Sequence, residues 1–191
     1  MLKIRCVLTA ALSLLLFSAV SAAEGIKPFF LADIQAGDMP SVVAATKQKL
    51  ANGGFEVVGE YSPYAGAHII IVTSDALKAH AAKSDFGAYG AIQRISVTKN
   101  GDNTEVVYTN PVYMAAAYRM ASDLSDIRAA LEGALGAEKD FGSEKNLTAD
   151  DLRKYHYTVM MEYFDDPSVL AEYDSQAEAI KAVEDSLAAG L

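Results

Sequence analysis

Cysteine and tryptophan are all but missing from this 191-residue chain: there is no Trp, and the one Cys, Cys6, stands near the N-terminus. With a single thiol, an intrachain disulfide is excluded. Cations are scarce too, with 16 Lys and Arg against 25 Asp and Glu and a formal charge of −9. A phosphate-binding surface needs a surplus of Lys and Arg, so this balance argues against DNA or RNA as a partner. Familiar catalytic signatures are absent: there is no Gly-rich phosphate loop, HExxH pair, spaced Cys/His ligand set or G-x-S-x-G elbow. Apolar residues, by contrast, make up 51% of the chain. That is enough for the core of one ordinary domain or two small ones, and too much for a disordered chain.

The only long apolar run comes first. Lys3 and Arg5 precede an uncharged stretch over residues 7–20, which closes on Ser21-Ala22-Ala23. A short basic region, an apolar segment under about 20 residues and a small-residue exit read as a secretory signal peptide rather than a membrane anchor. Cleavage is expected after Ala22 or Ala23. Cys6 precedes the apolar segment, the wrong place for a lipidated cysteine. Removal of residues 1–23 takes Lys3, Arg5 and Cys6 but no acid, so the exported chain carries −11 and no thiol. Cys-ligated zinc and Cys nucleophiles then drop out. The expected address is the bacterial periplasm, with no membrane span left after cleavage.

Residues 24–39 form a lead segment whose Phe29, Phe30 and Leu31 need a core or a partner. Helical spacing after Pro40 and the stop at Asn52-Gly53-Gly54 predict a helix. Alternation over 55–61 predicts a half-buried strand, and AHIIIVT at 67–73 a strand buried on both faces. A short Ser74-capped helix, a Gly-containing loop over 83–89 and a hairpin turning at 99–103 follow. Asn110-Pro111 marks a helix start, because Asn accepts from free N–H groups and Pro lacks the donor that would be wasted there. A further helix from about Asp123 aligns Leu124, Ile127, Leu131 and Leu135. Thr148 and Asp151 suit a capping box, and 156–163 alternates like a strand. Ser175 with Glu178 opens a last helix expected to bury Ile180, Val183 and Leu187. Residues 45–53 and 182–190 echo each other. Either any amphipathic helix with a Gly stop looks this way, or the second copy begins a repeated half whose next strands are missing after Leu191.

Residues 41–111 resemble the bacterial domain-of-unknown-function family three hundred and two. The resemblance rests on a helix ending L-A-N-G-G-F at 50–55, E-V-V-G-E-Y at 56–61, the I-I-I-V-T strand from Ile69 and a hairpin closing at Tyr108-Thr109-Asn110-Pro111. It implies an α+β fold, an antiparallel sheet with helices packed on one side, and the echo adds the option of a duplicated half-domain arrangement. It carries no catalytic residues onto this chain. The expected divisions are the signal peptide 1–23, the lead segment 24–39, the family-like module 40–111 and a helical and α/β extension 112–191.

Ten tyrosines, none in the signal peptide, are the most distinctive content. Tyr61, Tyr64, Tyr108, Tyr113 and Tyr118 are candidates to line a ligand pocket, since Tyr joins a flat apolar body to a polar tip. The plainer reading is that they sit at core edges in place of Trp. His68, on the same strand face as Ile70 and Val72, is the sixth candidate. His68, His80 and His156 share no element at metal-ligand spacing, so no metal site or cofactor is expected, although Met114, Met120, Met160 and Met161 keep a Cu(I) carrier in view. With no nucleophile–base pair in the spacing, a non-enzymatic module binding a small apolar or aromatic ligand in a Tyr-lined groove leads. The alternatives are an enzyme using Tyr with His or Asp for proton transfer and a periplasmic copper carrier. Exposed apolar edges also suit a homodimer.

Overall fold

The computed structural model of the chain describes residues 25–163 and 166–190. The expected signal peptide lies outside the described residues. One six-stranded sheet organises the rest, in the spatial order β2-β3-β4-β5-β1-β6. Its strands are β1 (Phe29–Ala36), β2 (Glu56–Tyr64), β3 (Ala67–Thr73), β4 (Gln93–Asn100), β5 (Asn103–Thr109) and β6 (Lys139–Phe141). All five pairings are antiparallel. The helices are α1 (Met39–Asn52), α2 (Asp75–Ala81), α3 (Pro111–Ala117), α4 (Ser125–Leu135), α5 (Ala149–Arg153) and α6 (Gln176–Ala188). Among the described residues, no helix is long and apolar enough to cross a membrane.

Alternation along the strands decides which face is covered. Ile70 and Val72 of β3, Ile95 and Val97 of β4, and Val106 and Tyr108 of β5 point to one side and are buried. On that side they meet Val42 and Leu50 of α1, Leu77 of α2, Ala115 of α3, and Ile127 and Leu131 of α4. Each buried Val, Leu or Ile among them contributes about 1.5–3 kcal/mol by leaving water. Among the described residues, the other face carries no helix. The fold is thus α+β, an antiparallel sheet with helices on one side. The expectation that β3 is buried on both faces is corrected: Ile69 and Ile71, pointing away from the helices, are only half-buried.

The lead segment enters this sheet directly, because β1 pairs with β5 on one side and β6 on the other. Its Phe30 stacks on Tyr108 across the ladder, with ring centroids 5.4 Å apart. Asn110 fastens the start of β1 to the start of α3. Its Oδ1 accepts from the Val112 N–H at 3.1 Å, and its Nδ2 donates to the Lys27 carbonyl at 2.7 Å. Asn110 is buried, so Asn110→Ala removes a helix cap and leaves a carbonyl unpaired. We expect a loss of about 2–3 kcal/mol, read by urea unfolding.

Two expectations for the C-terminal stretch are corrected. Residues 156–163 form no strand. They have alternation but no ladder partner, and Met160 turns through a left-handed conformation at φ 73°. Tyr157 and Val159 stand in solvent as a result. The last helix does form as α6, capped by Ser175, yet Ile180, Val183 and Leu187 are exposed. An apolar stripe produces burial only where another surface covers it. The echoing helix α1 lies against the sheet and buries Val42, Thr46 and Leu50.

Candidate functional site

An open groove of about 720 Å³ runs between α1 and the β2–β3 edge of the sheet. Asp38 starts α1 there, its Oδ1 accepting from the Ser41 N–H at 3.0 Å, and Pro40 occupies the first turn. Met39, Val43 and Val57 supply apolar wall, while the small Ala44 and Ala51 leave room on the flank of the helix. One end of the groove is polar. Lys47 Nζ reaches both oxygens of Glu60, at 3.0 and 2.9 Å, bridging α1 to β2.

His68 completes a line of side chains at this end. Its Nε2 lies 3.1 Å from Glu60 Oε2, and its Nδ1 lies 2.9 Å from Ser62 Oγ. A carboxylate only accepts, so Nε2 carries the proton, and Nδ1 of the neutral ring accepts from the Ser62 hydroxyl. The hydrogen bond from Lys47, and next that from His68, hold the Glu60 carboxyl below its ordinary 4.5. A carboxyl with a lowered native pKa stabilises above its unfolded value and loses that contribution as pH falls through the lowered one. The stability difference between wild type and Glu60→Gln is therefore expected in full above the ordinary carboxyl range and shrinks as pH falls below it, as read by thermal melts from about pH 6 downward.

A second relay of the same kind joins other elements. His80 Nε2 lies 2.9 Å from Asp126 Oδ2, and its Nδ1 lies 2.8 Å from Ser122 Oγ. It clamps α2 to the start of α4, and the His80 hydrogen bond lowers the Asp126 pKa. His156 Nδ1 donates to its neighbour Thr158 carbonyl at 2.7 Å. The three histidines thus stand apart. Among the described residues, no group of three or more His, Cys, Asp or Glu is placed to hold a metal ion.

The structure does not bring the five tyrosine candidates together in one pocket, although Tyr61 and Tyr108 both border the groove on the helix-free face. Tyr108 is buried on the helix side of the sheet, its hydroxyl donating to the Gly136 carbonyl at 3.2 Å, and burial pushes its pKa up. Tyr61 lies on the helix-free face, and Tyr64 is exposed at the end of β2. Tyr113 is half-buried on α3, where burial raises its pKa. Tyr118 stacks on Tyr89 with ring centroids 5.6 Å apart. Of the six candidates only His68 reaches the groove beside α1. Sequence reasoning missed Glu60, Ser62 and Lys47. His68 and Ser62 are six residues apart on two strands, a spacing that says nothing until the β2–β3 register brings them together.

The helix-free face has its own shallow groove of about 360 Å³, in which Phe29, Tyr61 and Phe141 flank Ile69 and Val107 beside Arg94 and Ser96. Phe29 and Phe141 face each other at 5.7 Å.

With this geometry in hand, comparison with known proteins places the fold. The structure is similar to a crystal structure of an uncharacterized conserved protein DUF302 from Bacillus stearothermophilus, with a TM-score of 0.50 and 15% identity. The likeness covers 56% of this chain and 94% of that one. The chain therefore contains nearly the whole of that α+β fold, and the resemblance read from residues 41–111 is borne out as a likeness of fold. No family model matches the chain, and no curated protein matches it.

Proposed function

We propose that this protein is an exported, periplasmic binding module that takes a small, neutral, apolar or aromatic molecule with one hydrogen-bonding head in the groove beside α1. One observation carries the reading: an apolar trough closes at one end on the hydrogen-bonded line of Lys47, Glu60, His68 and Ser62. Its volume of about 720 Å³ lies within the range of about 300–1,000 Å³ common to small-molecule sites. Lys47 and Glu60 neutralise each other, which favours an uncharged ligand whose hydroxyl or carbonyl meets the polar end. Export rests on Lys3, Arg5, the apolar run and the Ser21-Ala22-Ala23 exit. The test is a thermal-shift titration with 2-naphthol and octan-1-ol. A ligand at a hundred times its Kd stabilises by about 2.7 kcal/mol, so a concentration-dependent rise in Tm is expected. No rise with either probe overturns the reading.

The Ser62–His68–Glu60 line supports a second reading, in which His68 Nδ1 takes the Ser62 proton during attack on an ester carbonyl. This is an enzyme in which His68 works with Ser and Glu rather than with Tyr. A fluorophosphonate adduct on Ser62 that disappears in His68→Ala favours it. An unlabelled Ser62 leaves the binding module alone.

A further inference from the structure

We propose that the helix-free face of the sheet is the interface between two copies of this chain, stacked face to face with Arg94 of one copy against Glu105 of the partner subunit. Three observations lead there. First, the face carries an apolar patch, although its β4 positions Arg94, Ser96 and Thr98 and its β5 positions Glu105 and Thr109 are polar. Tyr61, Ile69 and Val107 lie in one row across β2, β3 and β5, with Ser96 of β4 between Ile69 and Val107, and Phe29 and Phe141 lie in the next row along the strands. Secondly, the size is right. Six strands spaced about 4.8 Å apart, with ladders about 20 Å long, present about 500 Å² in plane and more when ruffled by side chains. Stable pairs bury about 600–1,000 Å² per partner, so this face suits a dimer of moderate affinity.

Thirdly, the charges on the face have the symmetry of a two-fold pair. Ser96 and Val107 are directly opposed at its centre. Arg94 lies two residues before Ser96 on β4, and Glu105 two residues before Val107 on β5. Because β4 and β5 are antiparallel, the cation and the carboxylate fall at opposite ends of the same face. A two-fold axis lying across the strands beneath the Ser96–Val107 pair exchanges those ends. It brings each Arg94 over Thr98 of the partner subunit, one strand (about 4.8 Å) to the side of Glu105 of the partner subunit and within reach of a long side chain, across sheets about 10 Å apart. An axis along the strands would instead bring like charges together. The Arg94 guanidinium lines the groove and has no ion pair among the described residues. An unpaired cation is notable on a chain with nine more acids than bases.

Sedimentation-velocity titration of the wild type should show a monomer–dimer equilibrium at micromolar protein. Arg94→Glu and Glu105→Arg should each weaken it by about tenfold or more, through a like-charge contact across the interface. The double exchange should restore it to within about threefold of wild type, because the pair re-forms with its signs reversed. Val107→Lys, at the centre, should leave only monomer, with circular dichroism confirming that the fold is kept. A wild type that stays monomeric at high concentration overturns the proposal. So does a dimer indifferent to Val107→Lys, which would place the contact on a sheet edge.

Discussion

Ala44→Trp should abolish binding of 2-naphthol while leaving the protein folded. Ala44 lies on the exposed flank of α1 and lines the groove, so an indole there fills the trough without entering the core. Helix propensity falls by about 0.5 kcal/mol at most. The loss of affinity is expected to reach tenfold or more, equivalent to about 1.4 kcal/mol, because the ligand and the indole compete for the same volume. Isothermal titration reads this directly. The chain has no Trp, so the substitution also introduces a single indole whose emission reports whether the groove is dry. Blue-shifted emission with binding lost is the expected pair of results. Binding that survives Ala44→Trp would place the ligand elsewhere.

The second large effect is on stability. Ile95 is fully buried on β4, between Ile70 and Tyr108. Ile95→Ala leaves a cavity in close-packed surroundings and should cost about 2–5 kcal/mol. For a domain of this size that lowers Tm by roughly 5–15 °C. Ile69, one residue out of phase with Ile70 on β3, points to the helix-free face and is only half-buried. Ile69→Ala should cost about 1 kcal/mol or less within one copy. The contrast, measured by urea unfolding at concentrations too low for a dimer, tests the claim that helices cover one face alone. Equal losses at the two positions would contradict it.

Local chemistry was readable in the sequence wherever one residue decides the outcome. Asn110-Pro111, Ser74 and the Thr148–Asp151 capping box start helices where expected, since caps act within one turn. The hairpin between β4 and β5 turns at Gly101, whose φ of 59° suits a residue without Cβ. What depends on distant partners was not readable. Residues 156–163 alternate like a strand but have no neighbour to pair with. Leu124 was expected inside α4 and instead takes a left-handed φ of 56° before the helix begins, while Asp123 Oδ1 accepts from the Ser125 N–H. The continuous apolar run of β3 cannot reveal by itself whether one face or two are covered.

The same division governs the site. His68 is conspicuous in the sequence as a histidine in an apolar strand, and it stands at the groove's polar end. Lys47, Glu60 and Ser62 are ordinary surface residues in the sequence, and only the α1 crossing and the β2–β3 register give them a common place. The tyrosines stand out by their number, and number carries no information about direction. Alternation sends Tyr61 and Tyr108 to opposite faces of one sheet.

The most direct test of the groove as a binding site is a heteronuclear NMR titration of the protein with 2-naphthol. The amides expected to shift together are those of Val43, Ala44 and Ala51 on α1 with Val57 and His68 on the neighbouring strands, saturating at one equivalent. Shifts confined to Ile69, Arg94 and Val107 on the helix-free face, or none at all, would contradict the account.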